Sequence, residues 1–127
     1  MTQFLIFYYA IALINVAKPR VLTSPVGGSH IEGTSISLSC NSSGYPQPSI
    51  SWTHNGNVIT SANNQESLLL TNIASIDSGN YQCIFGNAAG NTTSNIAVVI
   101  VYSKSLLSEV NYTYMYLNLF IILYFYE

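Results

Sequence analysis

The sequence predicts an all-β fold, an antiparallel sandwich or barrel of about seven short strands. Apolar and polar residues alternate with a period of two in several short segments, as in strands that are buried on one face. Gly, Pro and Asn separate these segments at regular spacing, and the middle of the chain shows no helical period. Short strands with turn residues between them are typical of both architectures.

Each strand can be placed along the chain by this alternation. In 34–40, Ile36, Leu38 and Cys40 alternate with serines, which predicts a half-buried strand with its cysteine on the apolar face. Asn55-Gly56 is a favoured two-residue hairpin turn. Including two weak strands near Val21 and Val26, the predicted strands are 34–40, 49–53, 58–59, 67–72, 80–85 and 91–101.

The last predicted strand is apolar on both faces. We expect its core-facing set to be Ile96, Val98 and Ile100. The outward set would then be Ala97, Val99 and Val101. An apolar outer face on a sandwich favours contact with a partner protein, or cover by the tail or by a neighbouring domain.

Apolar runs at both ends divide the chain into three parts. Residues 1–17 resemble a signal peptide or hydrophobic leader, with an apolar run of suitable length ending at the small residue Ala17. A buried strand and a piece of a longer chain are the alternatives. Residues 20–102 form the predicted domain, and residues 103–127 form a hydrophobic tail.

The tail allows three interpretations. Residues 110–126 are uncharged over about 17 positions, the lower limit for crossing a bilayer, and tyrosines lie near both ends. A single membrane span, a lipid-anchor signal and a truncated end are all compatible with this composition.

The composition is unusually poor in charge. Only 6% of residues are charged, against about 25% in ordinary soluble domains. The net charge is -2 and no basic cluster is present, which excludes nucleic acid as an expected partner. Abundant Ser, Thr and Asn are typical of a secreted protein, and Asn41, Asn91 and Asn111 each begin an N-glycosylation tripeptide.

No catalytic, cofactor or metal site is predicted. His30 and His54 lie on separate loops, and a metal site would need further ligands beside them. Glu32, Glu66 and Asp77 have no evident nucleophilic or basic partner, and no glycine-rich phosphate loop is present. We therefore expect a protein without enzymatic activity and without a cofactor.

The two cysteines, Cys40 and Cys83, favour a disulfide if the chain is secreted, because their number is even. The bond would close a loop of about 44 residues, worth roughly 4 kcal/mol in the chain-entropy model. Trp52 lies on the strand that follows Cys40, where its indole could pack over the sulfur atoms.

The order Cys40, Trp52, Leu68/Leu70 and Asp77-x-Gly79-x-Tyr81-x-Cys83 resembles an immunoglobulin domain of the intermediate-set or C2 type. The stretch 44–52, which reads GYPQPSISW, and the turns 54–56 and 87–90 extend the resemblance over 21–101. It implies a two-sheet antiparallel Greek-key sandwich whose cysteines are linked across the sheets. It also implies that Tyr81 forms the tyrosine corner, that Gly79 turns the chain into its strand and that Asp77 caps the preceding loop. Between Ser24 and Val101 there is no Lys or Arg, so Asp77 lacks the basic partner common in the family.

The resemblance implies an extracellular or cell-surface module for protein–protein recognition or cell adhesion. Its partner would be a cell-surface or matrix protein, with a second copy of the chain as one option, and the tail would anchor it if it spans a membrane. The presenting loops would be 41–48, 55–57 and 87–90. A structural repeat from a larger array, with reduced cysteines, and a secreted soluble receptor or decoy are the alternatives.

Overall fold

The computed structural model describes residues 2–125, in which ten strands lie between two helices. The helices are α1 (Thr2–Ile14) and α2 (Lys104–Phe125). The first five strands are β1 (Ala17–Thr23), β2 (Gly28–Ile31), β3 (Ile36–Ser39), β4 (Asn41–Tyr45) and β5 (Ser49–His54). The other five are β6 (Asn57–Ile59), β7 (Ser67–Leu70), β8 (Gly79–Asn87), β9 (Gly90–Thr93) and β10 (Ala97–Tyr102). Single 3₁₀ turns occupy Thr60–Ala62 and Ser75–Asp77.

The strands form two layers, which confirms the predicted sandwich. The front sheet has the order β2-β10-β8-β5-β6, and β9 also pairs with β8. Its pairs are antiparallel except β2 with β10, which is parallel. The back sheet consists of β1 paired with β4 and β3 paired with β7. Since β3 and β4 are separated only by Cys40, they are two parts of one strand that changes partner at the cysteine.

The structure has more strands than predicted because two segments are each divided into two strands. The second part, β4, was not predicted, because its sequence NSSGY has no apolar alternation. The predicted strand 91–101 is divided into β9 and β10 by Ser94. The Ser94 hydroxyl accepts a hydrogen bond from the Cys83 N–H at 3.0 Å and donates one to the Asn95 carbonyl at 2.8 Å. The Ser94 N–H still donates to the Cys83 carbonyl at 2.9 Å, so the side-chain hydroxyl takes the place of only one backbone partner where β9 ends.

The predicted orientation of the last strand was wrong. Ala97, Val99 and Val101 face the core, with exposed fractions of 2%, 1% and 9%. Val98 is 52% exposed and Ile96 is 55% exposed. The cause is the break after β9, since Ser94 is buried and both Asn95 and Ile96 are exposed. Two consecutive outward residues reset the alternation, so the core-facing set moves by one position.

The core lies between the two sheets and holds the largest side chains of the middle of the chain. Trp52, Tyr81 and Phe85 from the front sheet are buried almost completely. Ile36, Leu38 and Leu68 from the back sheet are buried as well, and Leu70 packs against the same cluster at its margin. Alternate residues of facing strands fill the space between two sheets in this way.

The end segments are helical in the described residues. The described side chains of α1 are exposed, including Phe4 and Phe7. In 2–125, neither helix combines the length and the apolar character that crossing a membrane requires. Of the three interpretations of the tail, a single membrane span therefore receives no support from α2.

Candidate protein-interaction surface

The cysteine pair joins the two sheets at the centre of the domain. Cys40 and Cys83 form a disulfide, with their Cα atoms 6.6 Å apart. Trp52 lies directly opposite Cys83 in the pairing of β5 with β8 and is fully buried. Its indole N–H donates a hydrogen bond to the Gln65 carbonyl at 2.7 Å. The indole therefore belongs to the core and is not available to a ligand.

Tyr81 fixes the corner that leads into β8. Its hydroxyl donates a hydrogen bond to the Asp77 carbonyl at 2.8 Å. The Asp77 carboxylate accepts a hydrogen bond from the Ala74 N–H at 2.8 Å, so the side chain caps its own turn. Burial, with a smaller contribution from the negative charge of Asp77, raises the pKa of Tyr81 to about 12. Gly79 follows the turn with a φ of 145°, a conformation that favours glycine.

The histidines lie apart from any metal-binding group. His54 stacks on Tyr81 with the ring centres 4.4 Å apart, and its Nε2 lies 3.0 Å from the Ser78 carbonyl. Among the residues that the structure describes, no three His, Cys, Asp or Glu side chains are grouped as metal ligands would be. The stacked ring serves to pack the corner.

Two of the three predicted presenting loops come together at one end of the domain. The Asn87 amide Nδ2 donates hydrogen bonds to the Pro46 carbonyl at 3.0 Å and to the Ala17 carbonyl at 2.7 Å. Asn87 ends β8, whereas Asn55 accepts a hydrogen bond from the Asn80 N–H near the start of β8. The turn 55–57 is thus separated from the other two loops by most of β8, about 23 Å at 3.3 Å per residue. The three loops cannot form one continuous site.

The outer side of the front sheet exposes a row of apolar side chains. We call this surface the apolar face, and its members are Ile31, Ile96, Val98, Ile100 and Tyr102. Tyr102 lies beside Ile31 in the pairing of β10 with β2, and each is at least 40% exposed. An apolar strip of this kind on a sheet marks an interaction surface more often than scattered apolar residues do.

A shallow groove borders the apolar face. Its volume is about 360 Å³, and it is lined by Thr53, Asn55, Gly56, Asn80, Gln82 and Ile96. The lining is uncharged and offers amide and hydroxyl groups for hydrogen bonds. The sequence predicts an apolar outer face on the last strand, but the residues predicted for it are wrong, because the break at Ser94 leaves no apolar signature.

The predicted glycosylation sites are exposed. Asn41 lies in β4 on the back sheet, Asn91 lies in β9 near the end formed by 87–90, and Asn111 lies in α2. None of the three is a member of the apolar face or of its groove.

The family model described as "Immunoglobulin domain" matches residues 18–87. Hemicentin-1 from Mus musculus is 31% identical over 97 residues, which cover 72% of this chain and 2% of that protein. Neuronal cell adhesion molecule from Mus musculus is 34% identical, covering 65% of this chain and 7% of that protein. The chain thus spans a small fraction of the length of these relatives.

Solved structures show the same fold. The structure titled "Tandem Ig repeats of Dlar" superposes with a TM-score of 0.64 at 22% identity, covering 69% of this chain and 50% of that chain. A titin M10–obscurin-like 1 Ig complex superposes with a TM-score of 0.62 at 29% identity, covering 68% and 96%. The family match covers more than half of the chain and includes Cys40, Trp52, Tyr81 and Cys83. This chain belongs to the immunoglobulin domain family.

Proposed function

We propose that this immunoglobulin domain is a non-catalytic extracellular module for protein–protein recognition or cell adhesion. The observation that carries the proposal is the apolar face, which exposes five large side chains on β2, on β10 and at the residue before β10. Leaving such a surface in water is unfavourable, and burying it against a partner contributes about 25 cal/mol per Å² of apolar area. The groove beside it supplies hydrogen-bonding groups that a partner would need to satisfy.

The relatives support a role in recognition. One is named a cell adhesion molecule, and one of the similar solved structures is titled as a complex of immunoglobulin domains. Immunoglobulin domains are scaffolds on which different surfaces bind different partners, so the site on this chain has to be tested on its own residues.

Three features support an extracellular location. A disulfide persists in oxidising compartments. We interpret residues 1–17 as a leader for the secretory pathway. Glycans on the exposed Asn41 and Asn91 would lie on the back sheet and at the loop end, so they would leave the apolar face open.

Glycosidase treatment of chain produced in secretory cells should lower its apparent mass, and an unchanged mass would contradict the use of these sites.

The recognition role is tested with a substitution on the apolar face. Beads that carry the full chain are offered to intact cells and to one another, and adhesion is counted. Val98→Lys should reduce adhesion at least tenfold, because a lysine there would bury an unpaired charge in the contact. Leu22→Lys is the matched control, since Leu22 is 61% exposed on the back sheet and should adhere as wild type. Equal adhesion of both variants, or wild-type adhesion no greater than that of bare beads, would contradict the proposal.

A structural repeat in a larger array is the second candidate. It is favoured by the small share of hemicentin-1 that the chain covers and by the likeness to titin domains. An intracellular array would leave both cysteines as thiols, so titration of thiols under denaturing conditions separates the candidates. A secreted soluble receptor or decoy would instead be found wholly in the medium on fractionation.

A further inference from the structure

The outer edge of the back sheet has features that suit pairing with another strand. In residues 2–125, β7 pairs with β3 and with no other strand. The segment between β6 and β7 contains the 3₁₀ turn Thr60–Ala62 and does not run along β7 as a strand. The four residues of β7 read SLLL, without the charge or proline by which proteins usually protect an edge. Leu69 is 63% exposed at the middle of this edge.

The hydrogen bonds show which backbone groups of β7 face outward. The Cys40 N–H donates to the Glu66 carbonyl at 2.8 Å, and the same register continues as Leu38 opposite Leu68. In an antiparallel pair the hydrogen-bonded positions alternate, so Glu66 and Leu68 direct their backbone groups toward β3. The N–H and C=O groups of Ser67 and Leu69 therefore point to the free edge.

We propose that β7 pairs antiparallel with β7 of a second copy of this chain, which joins the two back sheets. Residues that lie opposite each other must share a face of the sheet, and those whose backbone groups point to the free edge must lie opposite residues of the same kind. A register centred on Leu69 meets both conditions. It places Leu69 of one copy opposite Leu69 of the second copy on the outer face. It also places the buried Leu68 opposite Leu70 on the core-facing side.

The charges agree with this register. The charged residue next to the strand is Glu66, and in this register it lies opposite Asn72 of the second copy, which is neutral. No like charges therefore meet, and the contact is the same from both sides, as a two-fold dimer requires. Pairing centred on Leu68 would instead oppose backbone groups that β3 already uses.

The contact is small, so the dimer should be weak in solution. Four residues of strand bury much less than the roughly 1,200 Å² at the lower end of stable interfaces. Its effect would be largest where many copies are held close together, since a weak contact is strengthened by high local concentration.

A cysteine at the two-fold axis tests the proposal on the full chain. Both natural cysteines are in the disulfide, so Leu69→Cys introduces the one free thiol. Opposed hydrogen-bonded residues have Cα atoms about 5.5 Å apart, within the range that a disulfide spans. Under mild oxidation Leu69→Cys should form covalent dimer at least tenfold faster than Leu22→Cys, an equally exposed control on β1.

The register has its own test. Ser67→Cys alone should form little covalent dimer, because residue 67 lies opposite Thr71 of the second copy. The double variant Ser67→Cys/Thr71→Cys should restore the covalent dimer.

Sedimentation of the wild-type chain over a concentration series should show reversible dimer that Leu69→Lys abolishes. Cross-linking of Leu69→Cys no faster than Leu22→Cys, or a wild-type monomer at all concentrations, would overturn the proposal. Val98 lies on the other sheet, so the double variant Leu69→Cys/Val98→Lys should cross-link as fast as Leu69→Cys alone, and the proposed function and the dimer can fail separately.

Discussion

Tyr81 shows how one side chain can hold a corner in a domain with few charges. Its ring is buried and its hydroxyl donates to the Asp77 carbonyl, while His54 stacks on one side of it. The Asp77 carboxylate bonds to backbone and so does without the missing basic residue. The residues at this corner could be predicted from the sequence, because their types and spacing are specific to it. The stacking of His54 could not, because it depends on pairing between β5 and β8.

Tyr81→Phe tests the corner directly. The change removes one hydrogen bond and leaves the Asp77 carbonyl without this donor, so we expect a loss of about 1–2 kcal/mol in the free energy of unfolding. Urea denaturation at neutral pH measures it. Thr92→Val, which removes the hydroxyl that donates to the Pro19 carbonyl at the edge of the sandwich, serves as a comparison and should cost less.

The raised pKa of Tyr81 predicts how stability changes in alkali. The folded state holds this proton until about pH 12, whereas the unfolded chain releases it near 10.0. The unfolded state therefore binds fewer protons in this window, and stability falls as the pH rises from 10.0 to 12. Urea midpoints recorded across the window should fall more steeply for wild type than for Tyr81→Phe. Parallel curves would contradict the assignment.

At the scale of elements, the alternation of apolar residues predicted the positions of the strands better than it predicted which face of each strand is buried. Strands with one clear apolar face, such as β3 and β5, lie where the pattern placed them. In β10 both faces are apolar, so the pattern could not choose between them, and the choice is made by the buried Ser94 before it. A hydroxyl bonded to backbone leaves no hydrophobic signal in a sequence.

The close contact between Gly79, at the start of β8, and the turn that follows β5 offers a test at this scale. A methyl group at Gly79 would overlap Asn55 Oδ1 and would lie 2.7 Å from His54 Nε2. Gly79→Ala should therefore displace both side chains in addition to straining φ, at a cost of about 2–3 kcal/mol. Gly56→Ala is the matched control, because Gly56 also has positive φ but has open space around its Cα. It should cost about 1 kcal/mol by thermal or urea denaturation, and equal losses would contradict the packing described.

At the scale of the whole molecule, the disulfide joins the two sheets, and each sheet exposes one feature on which a proposal rests. The disulfide connects β8 of the front sheet to the strand formed by β3 and β4, and so holds the sheets against each other. The front sheet presents the apolar face, and the back sheet presents the edge of β7. The fold could be predicted from the cysteine, tryptophan and tyrosine spacing. The surfaces could not, because they depend on strand breaks and on which strand ends a sheet.

Peptide mapping without reduction tests the central claim that this chain is a disulfide-linked module of the secretory pathway. Trypsin would leave both cysteines in one peptide, because no Lys or Arg lies between Arg20 and Lys104. Cleavage after glutamate separates them, since Glu32, Glu66 and Glu109 divide the region into 33–66 and 67–109. For full chain made in secretory cells and deglycosylated, we predict that these two peptides are recovered as one linked species that reduction releases. Recovery of the two peptides separately, each with a free thiol, would contradict the account.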